Sequence, residues 1–376
     1  MQEIDLCSLC GVPRFISGAG AWESNGVLSS PFLPGGRGIF CECEAINGLF
    51  ASLEGLLGLP IEHIIIESIR RDAREFMEGL LSSQISEALT FTKEQVRHDP
   101  GSDEAELVKV REKQKQWNLQ AITVGRVYGF GDVHLDDGWD RGDRHPWRTQ
   151  IIRNPFSISS YTAEAIGTVE AFEMKDMWAD YELVGEDTYR ISVYPQSHHA
   201  GLSKRLKVKD PGHAFKAGDI NYKRCVGCNV PLEIARHNWN LEEGIITDRH
   251  TGRRMVFIPS ASVEAILADL EAELGEEIPE TVIEAQRRTM KILRGGEDWS
   301  RSGWTFKQRT GLGGMGNLVY FKATEHNLSL RIENSCMAPL MVGLSQALAE
   351  LAYGVESSAR EWSLSEDRDL SIVIKI

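Results

Sequence analysis

Cys7-Ser8-Leu9-Cys10-Gly11-Val12-Pro13 recurs further along the chain as Cys225-Val226-Gly227-Cys228-Asn229-Val230-Pro231. The spacing is strict, since 225 − 7 and 228 − 10 both give 218. The match continues past the cysteines, with the offset slipping by one. Trp22 and Gly26 answer to Trp239 and Gly244, and Arg37 and Phe40 to Arg254 and Phe257. Leu53, Glu54 and Gly58 answer to Leu270, Glu271 and Gly275, and Glu67, Arg70 and Arg71 to Glu284, Arg287 and Arg288. A period this long lies outside the roughly 20–50 residues of solenoid repeats and points to a duplicated domain.

The shared pattern predicts the same elements twice. After each CxxC comes a loop, then a short strand ending near Phe40 or Phe257. A helix follows, with apolar positions Ile46, Leu49, Phe50, Leu53 and Leu57 in copy one and Val263, Ile266, Leu267, Leu270 and Leu274 in copy two. This i, i+3, i+4, i+7 stripe buries one helix face. Gly58 and Gly275 stand where a left-handed C-cap is wanted. A second helix begins near Ile61 and Ile278, carrying Ile65, Ile69 and Phe76 or Val282, Ala285 and Met290.

The rest of each copy repeats at a shorter offset, since 334 − 154 gives 180 for Asn154 and Asn334. A helix is expected over about 160–172 and 339–353. A closing hairpin follows, Trp178–Leu183 with Tyr189–Val193 and Glu356–Trp362 with Leu370–Ile374, each pair alternating around a polar turn. Copy one therefore carries 217 − 180 = 37 extra residues. They fall at 92–117, a charged helix over 103–116 with Ser102 as N-cap, and at 132–147, a loop rich in Asp, Gly and His. The expected domains are 1–194 and 225–376. The basic segment 195–224 joins them as a linker, and its His198-His199 pair reads as solvated.

A chain of 376 residues suits about two domains. No apolar run approaches the ~18–20 residues of a membrane span, and the first residues lack the pattern of a signal peptide, so a cytoplasmic location is expected. A net charge of −14 argues against broad nucleic-acid binding.

Two CxxC pairs at matching positions of a duplicated domain meet on a pseudo-twofold axis if the copies pair as a homodimer does. Cys7, Cys10, Cys225 and Cys228 then form one four-thiolate site, closed and structural, with zinc favoured over an iron–sulfur cluster. A competing set is Cys7, Cys10, Cys41 and Cys43 within copy one. Free thiols or a redox pair are the remaining reading. For chemistry, the candidates are His134 and Asp136 in the Asp/His loop and Cys336 as a nucleophile, each set against a plain structural role. Gly311–Gly316 lacks a following helix, so it reads as a tight turn between strands rather than a dinucleotide loop.

Copy two from Arg253 onward resembles the 4-vinyl reductase family of hydrocarbon-binding domains. The resemblance rests on Gly252-Arg253-Arg254-Met255-Val256-Phe257, on Leu270-Glu271-Ala272-Glu273-Leu274-Gly275-Glu276, and on Gly343–Ile376, a helix leading into a terminal hairpin. The family's hairpin cysteine has no counterpart here, and the nearest is Cys336. The resemblance implies an α+β fold similar to the TRAPP vesicle-tethering subunits, in two tandem copies with helices flanking a small antiparallel sheet. It also implies an apolar cavity for a hydrocarbon, aromatic or tetrapyrrole ligand. The expected function is binding of such a molecule, with the specialised pocket in copy one. An enzyme acting on such a substrate, or a TRAPP-like scaffold around a structural lipid, are the alternatives. A homo-oligomer is compatible with both.

Overall fold

The computed structural model describes residues 4–30, 33, 36–81, 104–198, 214–295 and 302–376. Among them are ten helices and three antiparallel sheets, an α+β architecture. In chain order the helices are α1 (Arg14–Ala19), α2 (Cys43–Leu57), α3 (Glu62–Leu81), α4 (Glu104–Tyr128), α5 (Gly138–Arg141), α6 (Ile158–Glu173), α7 (Ser260–Leu274), α8 (Ile278–Arg294), α9 (Ser302–Leu312) and α10 (Ala338–Tyr353). The first strands are β1 (Ala21–Trp22), β2 (Leu28–Ser29), β3 (Arg37–Glu42), β4 (Asp132–Leu135), β5 (Thr149–Arg153), β6 (Met177–Gly185) and β7 (Thr188–Pro195). The remainder are β8 (His237–Asn240), β9 (Ile245–Asp248), β10 (Arg254–Pro259), β11 (Asn317–Ala323), β12 (Asn327–Glu333), β13 (Ala359–Leu364) and β14 (Leu370–Lys375).

The chain divides into two compact units. Unit 1 is Met1–Ile4, Ile65–Leu206 and Trp239–Ile245; unit 2 is Asp5–Ile64, Lys207–Asn238 and Ile246–Ile376. These units group residues by contact, whereas the boundaries 1–194 and 225–376 group them by sequence likeness, so the two divisions answer different questions.

Unit 1 is built on a four-stranded sheet in the order β4-β5-β7-β6. Ile191 and Val193 of β7 are buried, two residues apart, while their neighbours face outward, as the two-residue period of a half-buried strand requires. Helix α6 joins β5 to β6. Its N-cap is Ser157, whose hydroxyl accepts from the Ser160 N–H. Unit 2 holds a sheet in the order β11-β12-β14-β13, with α10 joining β12 to β13. Leu328, Leu330 and Ile332 of β12 and Leu370, Ile372 and Ile374 of β14 make its core, packed with Ile283, Met341 and Val342 from the helices. Both four-stranded sheets thus share one strand order and one helical crossover.

Unit 2 also contains most of a sheet ordered β1-β2-β3-β10-β9-β8. At its centre β3 and β10 run antiparallel with Phe40 opposite Phe257. The two rings stack at 4.3 Å between centroids. Phe40 and Phe257 are matched by the 217-residue offset, so the register places matched residues face to face.

Helix α2 buries Ile46, Leu49, Phe50 and Leu53, and α7 buries Val263, Ile266, Leu267 and Leu270, as their stripes require, but the last stripe positions, Leu57 and Leu274, are not buried. Gly58 caps α2 in the left-handed conformation, with φ 69° and ψ 20°. Gly275 departs from expectation, with φ 102° and ψ 177°, because the chain turns at once into α8 rather than closing a left-handed cap. The 132–147 stretch is not a plain loop. Asp132 and Val133 are buried and His134 is exposed, β4 pairs with β5 over Asp132–Leu135, and α5 follows. Gly311–Gly316 connects helix α9 to strand β11, so it is a helix-to-strand turn rather than a strand-to-strand one. The expected N-cap Ser102, most of the 92–117 insertion's start and the linker residues 199–213 lie outside the described residues.

Two glycines hold tight crossings. Gly26, at φ +74°, lies so close to the chain that a Cβ there would sit 2.2 Å from the Gly316 carbonyl oxygen, within unit 2. Gly244, at φ +60°, would place a Cβ 2.0 Å from the Gly131 carbonyl oxygen, within unit 1. Gly26 and Gly244 are matched positions, and Gly131 and Gly316 each immediately precede the first strand of a four-stranded sheet.

Candidate metal centre and apolar cavity

Each CxxC pair sits on a knuckle built from the same two backbone hydrogen bonds. The Cys7 N–H donates to the Val12 carbonyl at 2.9 Å and the Gly11 N–H to the Cys7 carbonyl at 2.8 Å. The Cys225 N–H donates to the Val230 carbonyl at 2.9 Å and the Asn229 N–H to the Cys225 carbonyl at 2.8 Å. The turn needs a left-handed residue after the second cysteine, supplied by Gly11 (φ 75°) and Asn229 (φ 62°), residue types that tolerate it.

The two knuckles, both in unit 2, bring the four sulfurs together. Cys7 Sγ lies 3.8 Å from Cys225 Sγ, Cys10 Sγ lies 3.4 Å from Cys228 Sγ, and all four are within 4.8 Å of one another. A tetrahedral ion bound at about 2.3 Å from each sulfur sets S–S edges of about 3.8 Å. The donor set and its spacing therefore fit one metal ion. Backbone N–H groups of Leu9 and Cys10 aim at Cys7 and, against its burial, pull its thiol down to about 6. Burial pushes Cys10 and Cys228 the other way. Gly227 leaves room for the sulfurs, since a Cβ there would lie 3.1 Å from Cys7 Sγ.

Cys41 and Cys43 take no part. They sit at the end of β3 and the start of α2, outside the sulfur cluster, and burial raises both thiols, that of Cys43 to about 12. The competing set of Cys7, Cys10, Cys41 and Cys43 is not assembled.

The candidates for acid–base and nucleophilic chemistry are tied into structure. His134 Nε2 lies 2.7 Å from Asp132, which also meets Arg126 at 2.8 Å. Asp136 and Asp143 are bridged by Arg141, at 3.3 and 2.9 Å, and Asp137 pairs with the same guanidinium. Arg126, Arg141 and Lys115 thus pair with the carboxylates of this stretch. Cys336 is buried, its sulfur faces the Gly314 carbonyl at 3.8 Å, and burial raises its thiol to about 11.

His198 is placed differently from the solvated pair that its basic surroundings suggest. Its side chain is buried and hydrogen-bonded to Glu170, which is also held by Arg70 at 2.5 Å. Arg70 in turn pairs with Glu67 on the same helix. Glu170 stays below the usual carboxylate range: burial opposes its ionisation, but His198 and Arg70 outweigh it. Elsewhere in unit 1, burial pushes Glu164 up to about 8, with Asp72 adding to it. Neither His198 nor Glu164 carries a periodic signal in the sequence.

Unit 2 also holds a partly open cavity of about 220 Å³. Strand β3 contributes Ile39 and Phe40, α8 contributes Gln286, Met290 and Arg294, and α10 contributes Leu340, Met341 and Leu344. Phe306, Met255, Met315 and Met337 complete the apolar wall, and His237 and Arg309 add polar edges. Methionine is unbranched and polarizable, so a wall with several of them adapts to the shape of what it holds.

No known family profile matches the chain, and no curated protein matches it. A solved structure described as "Cs H-NOX mutant with unnatural amino acid 4-cyano-L-phenylalanine at site 5" is similar over 34% of this chain and 78% of its own, at 15% identity and a TM-score of 0.26. A likeness that slight carries no argument. Among the described residues, no helix is long and apolar enough to cross a membrane.

Proposed function

We propose that this chain is a cytoplasmic binding protein for a hydrophobic small molecule, built from two tandem 4-vinyl-reductase-like copies. The unit 2 cavity is the site, and zinc on Cys7, Cys10, Cys225 and Cys228 clamps unit 2. The observation that carries the binding reading is the cavity itself. The cavity is partly open and lined mostly by apolar side chains, whose surface an apolar occupant would remove from water. Its volume suits a compact ring system or a short hydrocarbon better than a tetrapyrrole, since an apolar cavity of about 150 Å³ already takes benzene. The shared strand order of the two four-stranded sheets and the Phe40–Phe257 register support the tandem copies. Four closely spaced sulfurs with no ligand of another type support zinc, which would hold the two knuckles and leave no open position for catalysis.

Native mass spectrometry of the protein as purified tests both parts. The expected result is one zinc per chain and, on a fraction of molecules, an organic ligand that leaves on denaturation. A well-folded, metal-free protein defeats the clamp. A cavity that takes up no apolar probe defeats the binding reading. A phospholipid that never exchanges would instead favour the scaffold, and turnover of a bound compound the enzyme.

A further inference from the structure

One polar group in the wall of the unit 2 cavity is left without a partner. Gln286 is 6% exposed and lines the cavity, and its Oε1 is buried with no hydrogen bond from the protein. Buried amides are nearly always hydrogen-bonded, because an unmade bond costs the full desolvation of the group. Its neighbour on the helix, Thr289, hydrogen-bonds Ser52 at 2.9 Å and makes no bond to the Gln286 oxygen. A second polar edge points the same way. His237 Nδ1 lies 3.1 Å from the Ile234 carbonyl, which can only accept, so that nitrogen carries the proton and Nε2 keeps its lone pair. His237 also lines the cavity.

The sequence marks Gln286 as a departure. The 217-residue offset that matches Glu284 with Glu67 and Arg287 with Arg70 puts Ile69 opposite Gln286, since 286 − 217 is 69. The flanking charges Glu67, Arg70 and Arg71 are kept as Glu284, Arg287 and Arg288, while the apolar position between them becomes an amide. Core packing alone gives no reason to bury an amide there.

We infer that the occupant of this cavity is an apolar molecule carrying a hydroxyl group, a phenol or an alcohol, and that Gln286 is the residue that selects it. A hydroxyl both donates and accepts, so it satisfies the amide whichever of its two faces is turned to the ligand. A plain hydrocarbon fills the volume but leaves Gln286 unpaired. This rests on the reading of the cavity as a ligand site and adds the chemical class.

Equilibrium dialysis of the intact protein against 2-naphthol and naphthalene tests it. The two probes share an apolar body and differ by the hydroxyl. The expected result is at least tenfold tighter binding of 2-naphthol by the wild-type chain. Gln286→Leu should remove that preference, weakening 2-naphthol about tenfold and changing naphthalene less than threefold. Equal affinity of the wild type for both probes overturns the inference while leaving the cavity a binding site. Binding of neither probe overturns the cavity reading and the inference together. The wild-type comparison decides the matter even if the variant does not fold.

Discussion

The buried charge cluster of unit 1 and its counterpart in unit 2 share four positions and differ in what closes them. In unit 1, Glu67, Arg70, Arg74 and Glu170 gather between α3 and α6, and His198 seals the cluster. In unit 2 the matched residues Glu284, Arg287, Lys291 and Glu350 gather between α8 and α10, with the Ser358 hydroxyl donating to Glu350. Arg70 and Glu67 are 4% and 1% exposed, whereas Arg287 and Glu284 are 16% and 26% exposed. The same framework is sealed in one unit and open-rimmed in the other. One face of α3 carries Ile69, Ala73 and Met77, all buried, where α8 presents Gln286, Met290 and Arg294 to the cavity. The charges orient the helices in both units, and the freedom to hollow out a site lies in the residues between them.

The largest expected effect separates the units by their sulfur. Cys225→Ser removes one of the four sulfurs of the proposed zinc site, and such a site contributes on the order of 10 kcal/mol in small zinc domains. Calorimetry should show the unit 2 transition falling by about 10 °C or more, with unit 1 little changed. One transition shifting as a whole would mean that the units melt together and would break the comparison.

The next effect probes the seal. Glu170→Gln removes the carboxylate that Arg70 and His198 share, leaving Arg70 to Glu67 alone, and should cost up to about 3–5 kcal/mol, the range for breaking a buried ion pair. Glu350→Gln, with Arg287 and Lys291 reaching water, should cost less, about 1–3 kcal/mol. Both acids are held below the ordinary glutamate value of 4.5; burial opposes this, and their partners outweigh it. Their contribution is therefore complete above that value and is lost as pH falls through the lower folded-state value. Chemical denaturation between pH 3 and 7 should show the wild type losing its advantage over each variant on the acid side. An equal penalty for the two variants would remove the distinction between sealed and open clusters.

The last comparison is of the two tight crossings. Gly26→Ala and Gly244→Ala each force a Cβ against a backbone carbonyl at positive φ, where the conformation alone costs about 1–3 kcal/mol and the clash with backbone adds to it. Similar losses in urea titrations would support matched roles. A neutral result at either position would show that the crossing relaxes there.

Much of the framework was legible because it is periodic. The stripes of α2 and α7 and the alternation of the closing hairpins follow from burying one face. The four cysteines were legible because the two pairs sit at one offset. The rest depends on contacts between residues far apart in the chain. His198 lies in a run of basic and polar residues, and only the folded position of Glu170, 28 residues earlier, makes it a buried partner. Gln286 lies on a helix whose stripe was readable, but the cavity beside it is formed by β3, α9 and α10 as well. In β4 the strand signal is a single buried valine among aspartates and a histidine, too short to stand out from the loop chemistry around it.

The knuckle residues are 218 positions apart, which fixes when during synthesis the cluster can close. At about 5–20 residues per second, a ribosome reaches Cys225 roughly 10–40 seconds after Cys7. Through that interval the leading cysteines have only each other, so assembly of the four-sulfur cluster is a late event in the birth of the chain, and unit 2 cannot be joined at its sulfurs until more than half of the polypeptide has emerged.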